Sequence, residues 1–293
     1  MTPRGWRGWR DWGGRAWYIE LMKIIAMAAV FLLGISFGSF LNVLVYRVKP
    51  EQKRKKNLSW WQGRSVCDCC GRKLLWWENI PLVSFLFLKG RCRTCRSPIP
   101  FEYFLVELGT GLIYLLVFYR LSPVGFLIAA IYCLIATILV FIFLYDFHYQ
   151  IIPDRAVLGL VLIVLAFYLE SLLPGLVSGA DQQACGLFKN LLAGLVSAGF
   201  FLFLHFITKG RGMGLGDVKF AFFMGLFLGP SKLILALYFA FLTGAIIGVI
   251  LILLGRKKFG QHVPFGPFLV AGTFFSWFLG DPVISFWRAR LFL

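Results

Sequence analysis

Long apolar runs, repeated along the whole chain, constrain its fold more than any other feature. They cover about Ile24–Tyr46, Tyr103–Tyr119, Val124–Tyr145, Ala156–Leu173, Leu187–Ile207, Val218–Leu228, Leu233–Leu254 and Pro264–Leu279. Several exceed the ~18 apolar residues that mark a membrane-spanning helix. Composition agrees: 59% of the 293 residues are hydrophobic and 15% charged, against about 45–50% and about 25% in ordinary globular domains. The sequence therefore predicts an all-α polytopic membrane protein with about eight transmembrane helices. The sixth run is short for a hydrocarbon core of ~30 Å, so it is expected to be shielded by neighbours or to line a wet cavity.

The net charge of +17 reads as membrane topology and not as a nucleic-acid footprint. Thirteen of the 30 lysines and arginines lie between Arg47 and Arg96, against three acids there, Glu51, Asp68 and Glu78. Such a basic loop belongs on the cytoplasmic side, where it also meets anionic lipid. Counting spans from that loop places Asp146, Lys209, Arg211, Asp217 and the cluster Arg256-Lys257-Lys258 on the same side. The expected address is a membrane, crossed many times with this face towards the cytoplasm, and no nucleic acid is expected as partner. The Arg/Trp-rich stretch 1–23 suits a lipid interface, and the plainer reading is an upstream extension with Met22 as an alternative start. A signal peptide is a third reading, on Ala26-Met27-Ala28. Gly34, Gly38 and Ser39 in the first span read as a helix-packing face, and Asn42 needs a partner in lipid.

Four of the seven cysteines form Cys67-x-x-Cys70 and Cys92-x-x-Cys95 inside the basic loop. Two such hairpins make a four-sulfur tetrahedral site, closed and therefore structural, and zinc is the expected ion. Cys69 competes with Cys70, whose spacing matches the second pair. Cys133 and Cys185 are isolated and read as packing residues.

The carboxylates carry the chemistry. The turn Gly214-Leu215-Gly216-Asp217-Val218-Lys219 sets an acid at the edge of an apolar helix, where a lone charge is costly. Two aspartates sharing a proton can activate water and polarise a carbonyl. Gly214 and Gly216 would let a substrate strand approach closely. Asp146 and Asp154 stand about level as partners for Asp217. Asp146 ends a long apolar helix with no basic neighbour, whereas Asp154, between Pro153 and Arg155, could cap a helix. His148 and His262 read as interfacial. The competing class is a proton-coupled transporter that uses its carboxylates as relays; acids at one face instead of the midplane speak against it.

In sequence order, Gly38-Ser39-Phe40-Leu41-Asn42-Val43, Arg64-Ser65-x-Cys67-x-x-Cys70, Asn79-Ile80-Pro81-x-x-Ser84 and Gly90-x-Cys92-x-x-Cys95 are followed by Tyr103, Glu107-Leu108-x-Thr110-Gly111, Asp146 through Ile152-Pro153-Asp154, Gly212-Met213-Gly214-x-Gly216-Asp217-x-Lys219 and Pro264-Phe265-Gly266-Pro267. This ordered set resembles the type IV prepilin peptidase family, the GxGD class of membrane aspartic peptidases. Asp68, Cys69, Glu102 and Phe104 depart from the family's usual residues.

The resemblance selects Asp146 with Asp217 as the catalytic pair, with Gly214, Gly216 and Lys219 in the active-site loop. It also implies cleavage of the positive leader from prepilins or pseudopilins at the cytoplasmic face. Methylation of the new N-terminus with S-adenosylmethionine as methyl donor is implied too, the donor site being unassigned. A peptidase-only member is the alternative. The expected layout is an N-terminal extension 1–23, a first transmembrane helix 24–46, a cytoplasmic zinc-binding loop 47–100, a peptidase core of helices 2–8 over 101–280, and a tail 281–293. Membrane lipid is the expected surroundings.

Overall fold

A computed structural model describes residues 7–48, 65–67, 69–122, 125–178, 181–210, 213–255 and 264–291. Asp68, Arg211, Gly212, Arg256-Lys257-Lys258 and His262 lie outside the described residues, as do the side chains of 170–178 and 181–185, including Cys185. The elements in order are α1 (Arg7–Arg47), a 3-10 turn (Trp76–Asn79), α2 (Val83–Phe87), α3 (Phe101–Leu121), α4 (Phe126–Tyr149), α5 (Asp154–Ser178), α6 (Asp181–Ile207), α7 (Leu215–Leu253) and α8 (Gly266–Leu291). Among the described residues the only β-pairing is two isolated bridges, Val66 with Lys73 and Arg91 with Pro98. The chain is all-helical, as its composition requires. It divides into two compact units, Met1–Thr137 and Ile138–Leu293, with α4 running through the division.

In the first unit α1 packs on α3 through small residues. A Cβ built on Gly34 would sit 2.8 Å from Gly111 Cα, and one on Gly38 would sit 2.8 Å from Glu107 Cα. The backbones therefore approach more closely than any side chain would permit, which is how helices associate where lipid removes the hydrophobic drive. Asn42 finds its partner one turn on, donating Nδ2–H to the Tyr103 carbonyl at 3.2 Å. Tyr114 and Thr137 share a buried hydroxyl hydrogen bond of 2.7 Å. The helix of α1 is continuous from Arg7, with no break at residue 23.

In the second unit the long element α7 is two helices. Gly229 has φ +73 and ψ 172, and Pro230 follows it. Proline lacks the N–H that would continue the first helix but suits the first turn of a new one. The segment 215–228 (α7a) packs on α6 where Gly225 meets Gly194. Beyond the turn, 230–253 (α7b) packs on α8: Ser276 Oγ donates to the Lys232 carbonyl at 2.6 Å, Phe275 stacks on Phe239 with centroids 4.2 Å apart, and Gly244 meets Phe268. The contacts from Lys232 to Gly244 run back along α8 towards its start at Gly266, so α7b is antiparallel to α8. Gly266 in turn touches Asp146, whose carboxylate lies within electrostatic range of Asp217 at the start of α7a. The two halves of α7 therefore run in opposite directions from a turn at Gly229. Asn190 braces that turn, its Oδ1 lying where a Gly229 Cβ would fall and its Nδ2–H bonding the Tyr168 hydroxyl at 2.6 Å.

Six helices among the described residues are long and apolar enough to cross a membrane: Glu20–Arg47, Phe101–Leu121, Phe126–Tyr149, Gly186–Ile207, Leu215–Leu253 and Gly266–Arg290. The eight expected spans map onto the fold with two differences. The sixth and seventh fall on the single element α7, divided only by its turn. The fourth falls on α5, part of whose side chains are outside the described residues. Outward faces carry exposed apolar side chains such as Leu32, Leu33, Phe203, Ile234 and Tyr238, a surface suited to lipid. Large side chains close the core of the second unit, with Phe201, Phe220, Phe223, Met224, Leu226 and Leu269 at 0% exposure.

Replacing Gly111 by valine should force α1 and α3 apart, because a Cβ there already lies 2.6 Å from Ile35 Cγ2. Overpacking of this kind costs about 1–3 kcal/mol. Thermal unfolding in detergent should show a lowered midpoint for Gly111→Val and none for Gly109→Ala, whose Cβ meets nothing.

Candidate functional site

Two buried carboxylates lie within electrostatic range of each other in the second unit. Asp146 lies near the end of α4 and is 4% exposed; Asp217 lies in the first turn of α7a and is 9% exposed. Each is held in the same way. Asp217 Oδ2 accepts the backbone N–H of Gly214, the residue that caps α7, at 2.9 Å. Asp146 Oδ2 accepts the backbone N–H of Gly266, the first residue of α8, at 3.0 Å. The first N–H groups of a helix have no partner within it and carry its positive pole, so they are natural anchors for a carboxylate. In both cases Oδ1 has no hydrogen-bond partner among the described residues.

The glycines differ in what they contribute. A Cβ on Gly216 would lie 2.9 Å from Ile152 Cβ, whereas one on Gly214 would meet only Asp217 Oδ2, at 3.5 Å. The close approach at Gly216 therefore serves the protein's own α4–α5 loop, where sequence reasoning expected a substrate strand. Ile152 is buried, and its fit against Gly216 fixes the loop that follows Asp146 on the helix start that carries Asp217. Gly266 has the tightest requirement, since its Cβ would fall 2.5 Å from Asp146 Oδ2. Sequence reasoning gave Gly266 no role; its place just before Pro267, at a helix start, was the available signal.

Asp154, the rival partner, opens α5 and pairs with Lys219 at 2.8 Å, with side-chain exposures of 66% and 51%. The Lys219 ammonium is thus committed to Asp154 at the surface. His148 Nδ1 lies 2.9 Å from the Leu144 carbonyl of its own helix. A cleft of about 550 Å³ opens beside the start of α7a. Val157, Leu158, Val161, Val218 and Phe222 line it, with Asp154, Arg155 and Lys219 at its charged edge.

The first unit holds a separate centre. Cys67, Cys70, Cys92 and Cys95 bring their sulfurs within 4.8 Å of one another, with Cys67 and Cys95 3.7 Å apart. A tetrahedral ion with metal–sulfur bonds of ~2.3 Å needs sulfurs ~3.8 Å apart, so the four residues fit a metal. Cys69 is exposed and outside this group, although it lies close enough to Cys95 for its thiol to be pushed up.

The electrostatics call for a cation. Ser97 holds the Cys95 thiol down, to about 6, through its hydroxyl (3.2 Å) and its N–H. The Cys70 and Cys69 N–H groups lower Cys67. The Arg72 N–H acts to lower Cys70, but loss of water and the neighbouring Cys67 and Cys95 outweigh it and push that thiol up to about 11. The shifts run in opposite directions, because charge on one sulfur opposes ionising its neighbours. A bound metal ion removes that conflict.

The fold and these two centres define a polytopic membrane protein with a paired-aspartate site and a four-cysteine module. The description "Bacterial Peptidase A24 N-terminal domain" matches residues 32–121, and "Type IV leader peptidase family" matches residues 133–249. Similar proteins include a prepilin leader peptidase/N-methyltransferase of Aeromonas salmonicida (strain A449), 32% identical and covering 89% of this chain and 94% of its own length. A protein of the same description in Bacillus subtilis (strain 168) is 33% identical, covering 89% and 97%. Another in Pseudomonas aeruginosa is 32% identical, covering 91% and 94%. No solved structure matches the chain. The chain belongs to the type IV leader peptidase family and is a peptidase.

Two outcomes follow from this geometry. Gly216→Ala should destabilise the second unit and impair its function, while Gly214→Ala should leave the melting midpoint close to wild type, as thermal shift in detergent would record. Cys92→Ser should lower bound metal measured by elemental analysis. Acid should release metal from the wild-type protein, because protons compete for the thiolates as pH falls.

Proposed function

We propose that this chain is an aspartic endopeptidase that cuts the positively charged leader from type IV prepilins or pseudopilins at the cytoplasmic face of the bacterial inner membrane. The observation that carries the reading is the pair Asp146 and Asp217, both buried and each oriented by a glycine N–H at a helix start, in a chain about one-third identical to prepilin leader peptidases over nearly its whole length. One aspartate, ionised, takes a proton from water as the water oxygen attacks the scissile carbonyl. The other, protonated, donates its proton to the carbonyl oxygen. Collapse of the tetrahedral intermediate returns a proton to the leaving amine and regenerates the pair with the roles open to exchange. The hydrolysis itself needs no metal.

The apolar cleft beside Asp217 suits the segment that follows the cut, with the charged edge at Asp154, Arg155 and Lys219 marking the passage from lipid to water. Zinc is the ion proposed for the four cysteines, which would supply all four of its ligands and leave it a structural role. S-adenosylmethionine is proposed as the co-substrate for methylating the new N-terminus, an activity carried in the names of the relatives. It has no assigned residues here.

Asp146→Asn and Asp217→Asn should each abolish leader cleavage of a co-expressed prepilin while the protein still inserts and retains its metal. Near wild-type cleavage by either variant overturns the paired-aspartate reading. Mass spectrometry of the mature pilin separates a bifunctional enzyme from a peptidase-only one by the presence or absence of one methyl group.

A further inference from the structure

The short helix α2 carries an apolar face that no other described residue covers. Two contacts pin the helix to α3. At its start the Leu82 N–H donates to Glu107 Oε2 at 2.7 Å. Phe85 lies against Phe101 and Phe104, with ring centroids 6.0 and 5.3 Å away. Gly90 closes that ring in from behind, since a Cβ there would fall 3.0 Å from it. With Phe85 turned to α3, Val83, Leu86 and Phe87 share the opposite side, at the i, i+3, i+4 spacing of one helix face. All three are exposed, Leu86 at 64% and Phe87 at 81%. Trp76, in the turn that packs on α2, is 76% exposed.

The place of α2 along α3 fixes its depth. The span Phe101–Leu121 has 21 residues, ~32 Å at ~1.5 Å per residue, which matches a hydrocarbon core of ~30 Å and sets Phe101 at one boundary. Glu107 is ~9 Å further in along the helix, and its side chain leans back towards the helix start. The Leu82 amide bonded to it therefore lies inside the boundary. Interfacial helices bury their apolar faces ~5–10 Å into this layer, so the stripe that begins at Val83 stands at lipid depth.

Charge says which lipid. Among the described residues of 65–100 the only carboxylate is Glu78, buried and paired with Arg72 at 2.7 Å. Lys73, Lys89, Arg91, Arg93 and Arg96 are all exposed. Arg93 lies over the Trp77 ring, 5.4 Å from its centroid. Tryptophan belongs at headgroup depth, and cations there attract anionic phosphates. Lys89 and Arg91 follow directly on the apolar stripe.

We propose that α2 is an interfacial wedge: Trp76, Val83, Leu86 and Phe87 enter the membrane boundary beside α3, and Lys89 and Arg91 hold anionic phospholipid headgroups of the same bilayer. Neither the peptidase chemistry nor a bound metal enters into it.

The test uses the full-length protein in nanodiscs of phosphatidylcholine and phosphatidylglycerol, with para-fluorophenylalanine in place of Phe87, a small change on an exposed ring. Fluorine relaxation is read against phosphatidylglycerol or phosphatidylcholine spin-labelled near the headgroup end of a chain, and against a water-soluble gadolinium chelate. The signal should broaden with both lipids, several-fold more with phosphatidylglycerol, and stay sharp with the chelate. Lys89→Gln combined with Arg91→Gln should erase the difference between the lipids and leave the contact itself. Saturating prepilin should leave the lipid broadening unchanged.

Broadening by the chelate alone puts the stripe in water and overturns the proposal. A fluorine that neither lipid nor chelate reaches is covered by protein, such as a second copy of this chain, and overturns it too. Equal broadening by the two lipids in the wild-type protein removes the role of Lys89 and Arg91. Loss of lipid broadening on adding prepilin assigns the stripe to substrate instead of lipid.

Discussion

Two backbone N–H groups, those of Gly214 and Gly266, hold the centre of the second unit in place. A carboxylate inside an apolar bundle is costly unless something fixes and partly neutralises it. Here the starts of α7 and α8 do so, and among the described residues no basic side chain pairs with either carboxylate. An arginine or lysine would lock a carboxylate as an anion. An amide dipole orients it and still leaves it free to exchange a proton. The two helix starts differ in what they demand of the residue there. At Gly266 a side chain would strike the carboxylate; Gly214 only has to present its N–H. Gly216 then brings in the loop that follows Asp146 by letting Ile152 approach.

Much of this was legible in the sequence, and the parts that were not share a cause. Apolar run lengths set the helical architecture, and the cysteine spacing set the four-sulfur group. The small residues of α1 announced close packing, and Gly34 and Gly38 lie where α3 approaches. Spacing could not choose between Asp146 and Asp154, because both follow the same apolar run. Burial separates them: Asp146 is enclosed, and Asp154 meets Lys219 in the open. The resemblance put Lys219 in the active-site loop, and its long side chain carries the ammonium out to Asp154 at the surface. The contribution of Gly266 was hidden because hydrogen bonds from backbone groups leave little trace in composition. The same holds for Ile152 against Gly216, where residues far apart in the chain are matched by shape alone.

In the first unit, four cysteines that could hold a metal sit in a module with little regular structure among its described residues. Among the described residues, two hairpins closed by isolated bridges, one 3-10 turn and one short helix leave Cys92 as the only buried apolar side chain between residues 65 and 100. Four thiolates around an ion can supply the folding free energy instead. The module is tied to its own unit by a separate contact: Glu107, buried on α3, accepts the Leu82 N–H at 2.7 Å. Leu82 has a left-handed backbone (φ 59), a conformation a branched residue adopts only under constraint. The carboxylate that holds it lies on the helix face that Gly38 meets.

The turn at Gly229 has a consequence for the bilayer itself. At ~1.5 Å per residue, α7a is ~21 Å long, while a hydrocarbon core is ~30 Å thick. Its far end is polar, with Lys232 paired to Asp281, and is drawn to the headgroups on that side. The deficit of ~9 Å then falls at the other end, where Asp217 begins the helix. Either the lipid thins there or water follows the carboxylate inward. In both cases the proposed hydrolysis would not require the apolar segment beside the cut to be lifted out of the membrane. The shortness of one helix, set by a glycine and a proline, would on the proposed reading bring water to the depth of a substrate held in lipid.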